Sequence, residues 1–349
     1  MNSQDPIQII ARLDANDNIG MAHGVRVKKL LSMLKTSINL HVCGEGDELS
    51  YLFHEDGQII KLPSYLNEVE KTEFLLDKAK EIGAKYILCD QPDMGNVSYN
   101  MLKQGGVKTI IIDDYGGAPF GDIIFNGTVL DSYHNYPNME NKANIYAGLD
   151  YALVSPNFTE LNWQDNANNT LLVVVGGGER ANRWALWLLS DEGPLNALEG
   201  METTMVVGAS FVDDKKLRSL AHDRNAIILQ AVNQEHLAQL LSQHTVALTT
   251  GGMIVYEALS VGVPTIIYPQ EDNLIPEALW FGENELLINL GQEGAQSKDE
   301  LLECLTNIFD DGDLRKKLSN NASQHIDAQG MKRVATLIDD FIQEQGMGK

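Results

Sequence analysis

The chain has 349 residues, more than a single hydrophobic core usually organises, so two domains are expected. It is 44% hydrophobic and carries a formal net charge of −23. Such acidity excludes non-specific attachment to nucleic-acid backbones or anionic membrane surfaces; a phosphorylated ligand needs a local device, such as backbone amides or a buried Arg.

Cys43, Cys89 and Cys304 lie far apart without metal-ligand spacing, as expected of free thiols in a reducing cytoplasm. The first ten residues lack the basic and apolar segments of a signal peptide, and no run approaches the roughly 18 apolar residues of a membrane span. The expectation is a cytoplasmic protein with no nucleic-acid partner, no stable membrane insertion, no cofactor and no metal, its oligomeric state left open.

Along the chain, apolar runs alternate with helical periodicity. Residues 6–13 read as a strand and 23–34 as a helix, joined through Ile19-Gly20-Met21-Ala22-His23-Gly24-Val25-Arg26. A helix start offers free N–H groups and the positive end of a dipole. α/β proteins hold anions there, and a histidine at that place can move a proton near neutral pH. Residues 38–43 read as the second strand, 53–61 as a stretch that holds one or two short strands, and 68–82 as an amphipathic helix. Residues 86–90 form an apolar strand ending in the Asp90 carboxylate, and 97–104 a helix. Strands at 109–114 and 122–125 end in Asp113-Asp114 and Asn126-Gly127. This rhythm predicts a parallel sheet with helices on both faces.

Residues 131–168 lose the periodicity, which places the domain boundary near 155–168. A second rhythm follows: a strand at 171–175, the loop Gly176-Gly177-Gly178 and a helix at 180–189. Further strands are expected at 205–208, 226–229, 246–250 and 265–268. Helices are expected at 213–222, 234–242, 253–261, 298–309 and over 314–344. The predicted organisation is an amino-terminal domain over 1–155, a linker over 156–170, and a carboxyl-terminal domain over 171–349 that includes the last helices. The fold class is α/β, two Rossmann-like domains whose parallel sheets face a cleft, with ligands at the carboxyl ends of the strands.

Thr249-Thr250-Gly251-Gly252-Met253 is the second informative stretch. A strand ends in two glycines that allow backbone to approach a diphosphate, and the next helix points its N-terminus there. Glu257, further along that helix, can accept hydrogen bonds from ribose hydroxyls; a tight turn with a solvated Glu is the plainer reading. Asn273 lies just past the following strand and offers both donor and acceptor to a sugar. Asp113-Asp114 either caps a turn or faces the cleft, and Arg180 either serves the site or is a surface charge.

Taken together, these segments resemble the UDP-sugar hydrolases of pseudaminic acid biosynthesis, relatives of the GT-B glycosyltransferases. Arg12-Leu13-Asp14 and the 19–26 segment look like that family's opening motifs. Asp113-Asp114, 122–126, 148–158, Gly176-Gly177 and Gly251-Gly252 to Glu257 look like later ones, in the same order. The resemblance implies inverting hydrolysis of a UDP-linked diacetamido-trideoxyhexose to free sugar and UDP, with His23 as the base that activates water. It implies substrate contacts by Gly20, Arg26, Asp14, Asp90 and Asn273, and UDP contacts by Gly176, Gly177, Val232, Gly251, Gly252, Met253 and Glu257. The alternative is a GT-B glycosyltransferase with a UDP-sugar donor, in which His23 deprotonates an acceptor hydroxyl.

Overall fold

The strands Tyr86–Cys89, Ile123–Asn126 and Val246–Thr249 are buried along their whole length rather than on alternate residues, as expected where a parallel sheet is covered on both faces. The computed structural model describes residues 5–15, 21–90, 95–116, 120–136, 143–165, 168–176, 179–198, 200–208, 211, 214–291 and 298–347. It divides into two compact units: Met1–Leu153 with Gln329–Lys349, and Val154–Ala328.

Unit 1 runs β1 (Ile7–Arg12), α1 (Ala22–Ser32), β2 (Ile38–Gly44), α2 (Glu48–Phe53), β3 (Gly57–Lys61), α3 (Glu68–Ile82), β4 (Tyr86–Cys89), α4 (Asn96–Gln104), β5 (Lys108–Ile112), β6 (Ile123–Asn126) and β7 (Asn144–Ala147). Its strands pair in parallel in the order β3-β2-β1-β4-β5-β6-β7. Successive strand residues point to opposite faces. Ile9, Ala11, Leu88 and Ile110 pack with Val27 and Leu30 of α1 and with Leu49 and Phe53 of α2. Ile10, Ile87, Cys89 and Ile111 pack with Leu75 and Ala79 of α3 and with Leu102 of α4. The helices after the neighbouring strands β1 and β4 therefore cover opposite faces. In such sheets the carboxyl ends of those two strands form the ligand-binding switch point.

Unit 2 runs β8 (Thr170–Val174), α5 (Glu179–Leu189), β9 (Glu202–Val207), α6 (Asp214–Asp223), β10 (Ile227–Gln230), α7 (Gln234–Gln243), β11 (Val246–Thr249), α8 (Met253–Val261), β12 (Thr265–Ile267), α9 (Ile275–Glu283), β13 (Ile288–Asn289), α10 (Lys298–Asp310) and α11 (Gly312–His325). Its parallel order, β10-β9-β8-β11-β12-β13, repeats that of the first six strands of unit 1. The switch point here lies at the carboxyl ends of β8 and β11.

Four features depart from the sequence reading. The short helix α2, one face of which buries Leu49, Leu52 and Phe53, was not expected, whereas the short strand expected within 53–61 is present as β3. The aperiodic 131–168 stretch contains β7, whose half-exposed residues present no apolar run. Helix α9 and strand β13 add to the expected elements of unit 2.

The fourth departure is the final helix, α12 (Gly330–Met347), expected within a 171–349 domain but part of unit 1. Met331, Val334, Ile338, Phe341 and Ile342 join the core of unit 1. The Asp339 carboxylate accepts the N–H groups of Lys35 and Thr36 just after α1, at 2.8 and 3.0 Å. Periodicity reveals that α12 has an apolar face, but both sheets could accept such a face.

Candidate functional site

In unit 1 the switch point gathers residues from three strand ends. His23 and Arg26 stand three residues apart on the first turns of α1, a spacing that puts both on one face. Gly24 between them permits close packing, since a Cβ there would sit 2.4 Å from Leu52 of α2. Met21, the N-cap of α1, supplies no side-chain hydrogen bond to the helix start. Asp90 follows β4, with its N–H held by the carbonyl of Arg12 at 3.0 Å. Asp114 follows β5.

These four side chains form one network. Arg26 donates to both oxygens of Asp90, from Nε at 2.6 Å and Nη2 at 2.5 Å. It also donates to both oxygens of Asp114, from Nη1 at 3.0 Å and Nη2 at 2.8 Å. His23 Nδ1 lies 2.9 Å from Asp90 Oδ1. Burial opposes the charge on Arg26, but Asp114 and Asp90 outweigh it and hold its pKa well above the ordinary value. Burial alone would raise the Asp90 carboxyl; Arg26, and then His23, overcome this and hold it below the usual carboxylate range. The His23 side chain is 29% exposed, and its Nε2 edge makes no hydrogen bond among the described residues. A half-buried imidazole oriented by a buried carboxylate, with its far nitrogen open, is equipped to take a proton.

Asp14 lies just after β1. Its carboxylate forms a bidentate pair with Arg12, at 2.5 and 3.2 Å, and accepts the N–H of Glu45 at 2.7 Å. The structure thus uses Asp14 to brace the loops after β1 and β2. Gly20 lies outside the described residues. Asp113 and Asp114 divide the two roles open to them in sequence. Asp113 caps a turn by accepting the N–H groups of Tyr115 and Gly116, and it also accepts Tyr136 Oη at 2.6 Å and Asn126 Nδ2 at 3.2 Å. Asp114 reaches Arg26. Two adjacent carboxylates gave no sequence signal as to which turns inward, so Asp114 was missing from the predicted site.

In unit 2, Gly251 (φ +109°) and Gly252 (φ +84°) join β11 to α8 in conformations that favour glycine. Gly252 is the N-cap and leaves the helix start without a side-chain cap, while Met253 begins the helix. A Cβ at Gly252 would meet nothing within 4 Å, so only the backbone angle demands glycine there. Gly252→Ala is therefore expected to cost about 1–3 kcal/mol of stability through strain alone, measured as a lower urea midpoint. A midpoint equal to that of the parent would remove the strain.

Val174 of β8 lies opposite Thr249 of β11, so Gly176 and Gly251 are level two residues beyond this pair. Gly177 lies outside the described residues. Leu274 approaches Gly251, with its Cδ1 3.0 Å from a Cβ built there, so the turn Asp272–Leu274, carrying exposed Asn273, borders the glycine pair. Half-buried Val232 lies at the carboxyl end of β10, two strands out from β8. Arg180 donates to the carbonyl of Gln270 at 2.5 Å and ties α5 to the segment after β12.

Glu257 is 8% exposed on α8, and its carboxyl makes no hydrogen bond among the described residues. Burial pushes its pKa up to about 8. Thr249 Oγ1 at the end of β11 and Gln270 Nε2 shortly after β12 are buried and also lack partners among the described residues. Buried polar groups are normally paired, so this edge of unit 2 carries unmet hydrogen-bonding capacity. The sequence reading missed Thr249 and Gln270; their positions, at the end of β11 and three residues past β12, were the available signal.

Two parallel-sheet Rossmann-like units, with solved structures of the same architecture, define the fold as GT-B. The structure is similar to MurG of Acinetobacter baumannii, with a TM-score of 0.67 and 13% identity, covering 96% of this chain and 100% of that one. It is also similar to the S. aureus MnaA–UDP co-structure, with a TM-score of 0.64 and 11% identity, covering 97% of each chain. In sequence it is distantly related to the spore coat polysaccharide biosynthesis protein SpsG of Bacillus subtilis (strain 168), 21% identical over 334 residues that cover 93% of this chain and 96% of that protein. No protein-family model matches the chain.

Proposed function

We propose that this protein is a nucleotide-sugar enzyme of polysaccharide biosynthesis that hydrolyses a UDP-linked diacetamido-trideoxyhexose with inversion, in a pseudaminic-type pathway. The observation that carries this reading is His23, held through Nδ1 by buried Asp90, with no hydrogen bond at Nε2 among the described residues. His23 Nε2 takes a proton from water as the water oxygen bonds to the anomeric carbon. The bond from that carbon to the β-phosphate oxygen breaks, and its electron pair leaves with UDP. A base at this step contributes about 10²–10⁴-fold.

Unit 2 is read as the nucleotide-binding half. The uncapped start of α8 and the Gly251-Gly252 turn suit a diphosphate, and helix N–H groups stabilise negative charge on a leaving phosphate. Glu257 is assigned to the ribose hydroxyls and Asn273 to the sugar or phosphates. The distant relationship to SpsG supports a place in polysaccharide biosynthesis.

The reading is tested by incubating the protein with a panel of UDP-sugars, including the diacetamido-trideoxyhexose, without acceptor, and measuring UDP release. Release that depends on His23 is expected. UDP binding without release from any sugar would overturn hydrolysis in favour of transfer to an acceptor.

His23, Asp90 and Asp114 bring ligand atoms within 4.8 Å of one another, a spacing that could hold a cation. Arg26 already engages both carboxylates, so EDTA is expected to leave turnover unchanged. Full loss with EDTA, restored by a divalent ion, would show that a cation replaces the guanidinium.

A further inference from the structure

The hydrogens of Arg26 can be counted. A guanidinium has one on Nε and two on each Nη. Nε gives its hydrogen to Asp90 Oδ2, and Nη1 gives one to Asp114 Oδ1. Nη2 gives one to Asp90 Oδ1 and the other to Asp114 Oδ2. Nη2 also lies 3.2 Å from His23 Nδ1, but it has no hydrogen left to offer there. The remaining partner of Nδ1 is Asp90 Oδ1, an acceptor at 2.9 Å, so Nδ1 carries its own hydrogen and donates it. The lone pair then stands on Nε2.

We propose that Asp114 is a positioning residue that selects the tautomer of His23, by occupying the Nη2 hydrogen that would otherwise be given to Nδ1. Without Asp114, Nη2 could donate to the Nδ1 lone pair. The imidazole would then carry its hydrogen on Nε2 and lose its basic edge. Asp113 cannot substitute, because its oxygens already accept Tyr115, Gly116, Tyr136 and Asn126. Burial, and then Asp113, hold the Tyr136 phenol well above its ordinary pKa, so it stays a donor to that carboxylate. The consequence for turnover rests on the proposed role of His23 as base; the tautomer does not.

The test is long-range ¹H–¹⁵N spectroscopy of ¹⁵N-histidine-labelled protein at about pH 9, where an imidazole is neutral. Among eight histidines, the His23 signal is assigned by its loss in His23→Gln. The parent is expected in the Nδ1–H form. Asp114→Ala is expected to populate the Nε2–H form and to lower kcat by about tenfold or more with KM within about twofold. Asp114→Glu is expected to restore both. Asp114→Asn preserves volume and shows the same shift to a smaller extent, which covers the case of an unstable Ala variant. A parent in the Nε2–H form, or one tautomer shared by parent, Ala and Asn variants, would overturn the proposal. A shifted tautomer with unchanged kcat would support it and remove His23 from the chemistry instead.

Discussion

His23→Ala is expected to lower turnover by roughly 100-fold or more while leaving UDP affinity within about twofold. The split follows from what the side chain touches. His23 engages Asp90 and, more distantly, Arg26, both in unit 1, whereas the groups assigned to UDP belong to α8 and the loops of unit 2. Folding should survive, because Arg26 keeps all four of its contacts to Asp90 and Asp114 when the imidazole is removed. Asp90 is a poorer place to probe. Its loss strips Arg26 of half its carboxylate contacts within a buried network, and breaking a buried ion pair typically costs about 3–5 kcal/mol. The check on His23 is kcat with the best UDP-sugar beside calorimetric UDP binding. Turnover equal to the parent's would exclude it as the base.

Glu257→Gln is expected to stabilise the protein and weaken UDP binding together. The carboxyl has a pKa of about 8 in the folded chain, against roughly 4.3 for a free side chain. Its folded-state pKa is raised, so the cost of burial is absent below about pH 4, grows between about 4 and 8 and is complete above. The amide has no such cost. The variant should match the parent near pH 4 and exceed it by a few kcal/mol, about 3–5 at most, near pH 9. Thermal melts across that window measure the difference, and a pH-independent offset would mean that Glu257 is ionised throughout.

With ribose hydroxyls as donors, the carboxylate gains partners on binding and its pKa falls. UDP affinity of the parent should therefore rise with pH up to about 8, with proton release detectable by calorimetry in buffers of different ionisation enthalpy. The Gln variant should bind more weakly and lack that rise. Equal UDP affinity in both proteins would refute the ribose assignment. A buried carboxyl on α8, the helix that follows Gly251-Gly252, with no hydrogen bond among the described residues fits a binding position better than a structural one.

Much of the architecture was legible in the chain because local chemistry writes it. Helix α3 begins at a reciprocal Asn67–Glu70 capping box and ends at left-handed Gly83, both visible as residue types. The doubly covered strands are rich in apolar residues, and Gly251-Gly252 marks a turn that other residues would strain. His23, Arg26 and Asp90 were marked by their places at strand ends and a helix start.

Long-range packing decided the rest. Residues 329–349 join unit 1 because Phe341, Ile338 and Val334 fit its core and Asp339 meets Lys35 and Thr36, contacts spanning some three hundred residues. Asp14 turned out to brace Arg12 and Glu45, and Asp114, rather than Asp113, turned towards Arg26. The sequence by itself determined most of the strands and helices, though not α2, β7, α9 or β13, and where glycine is favoured, since these depend on neighbours within a few residues. Only the tertiary structure decided which carboxylate faces which cation, because that depends on side chains from α1 and from just past β4 and β5 meeting at the carboxyl ends of the strands.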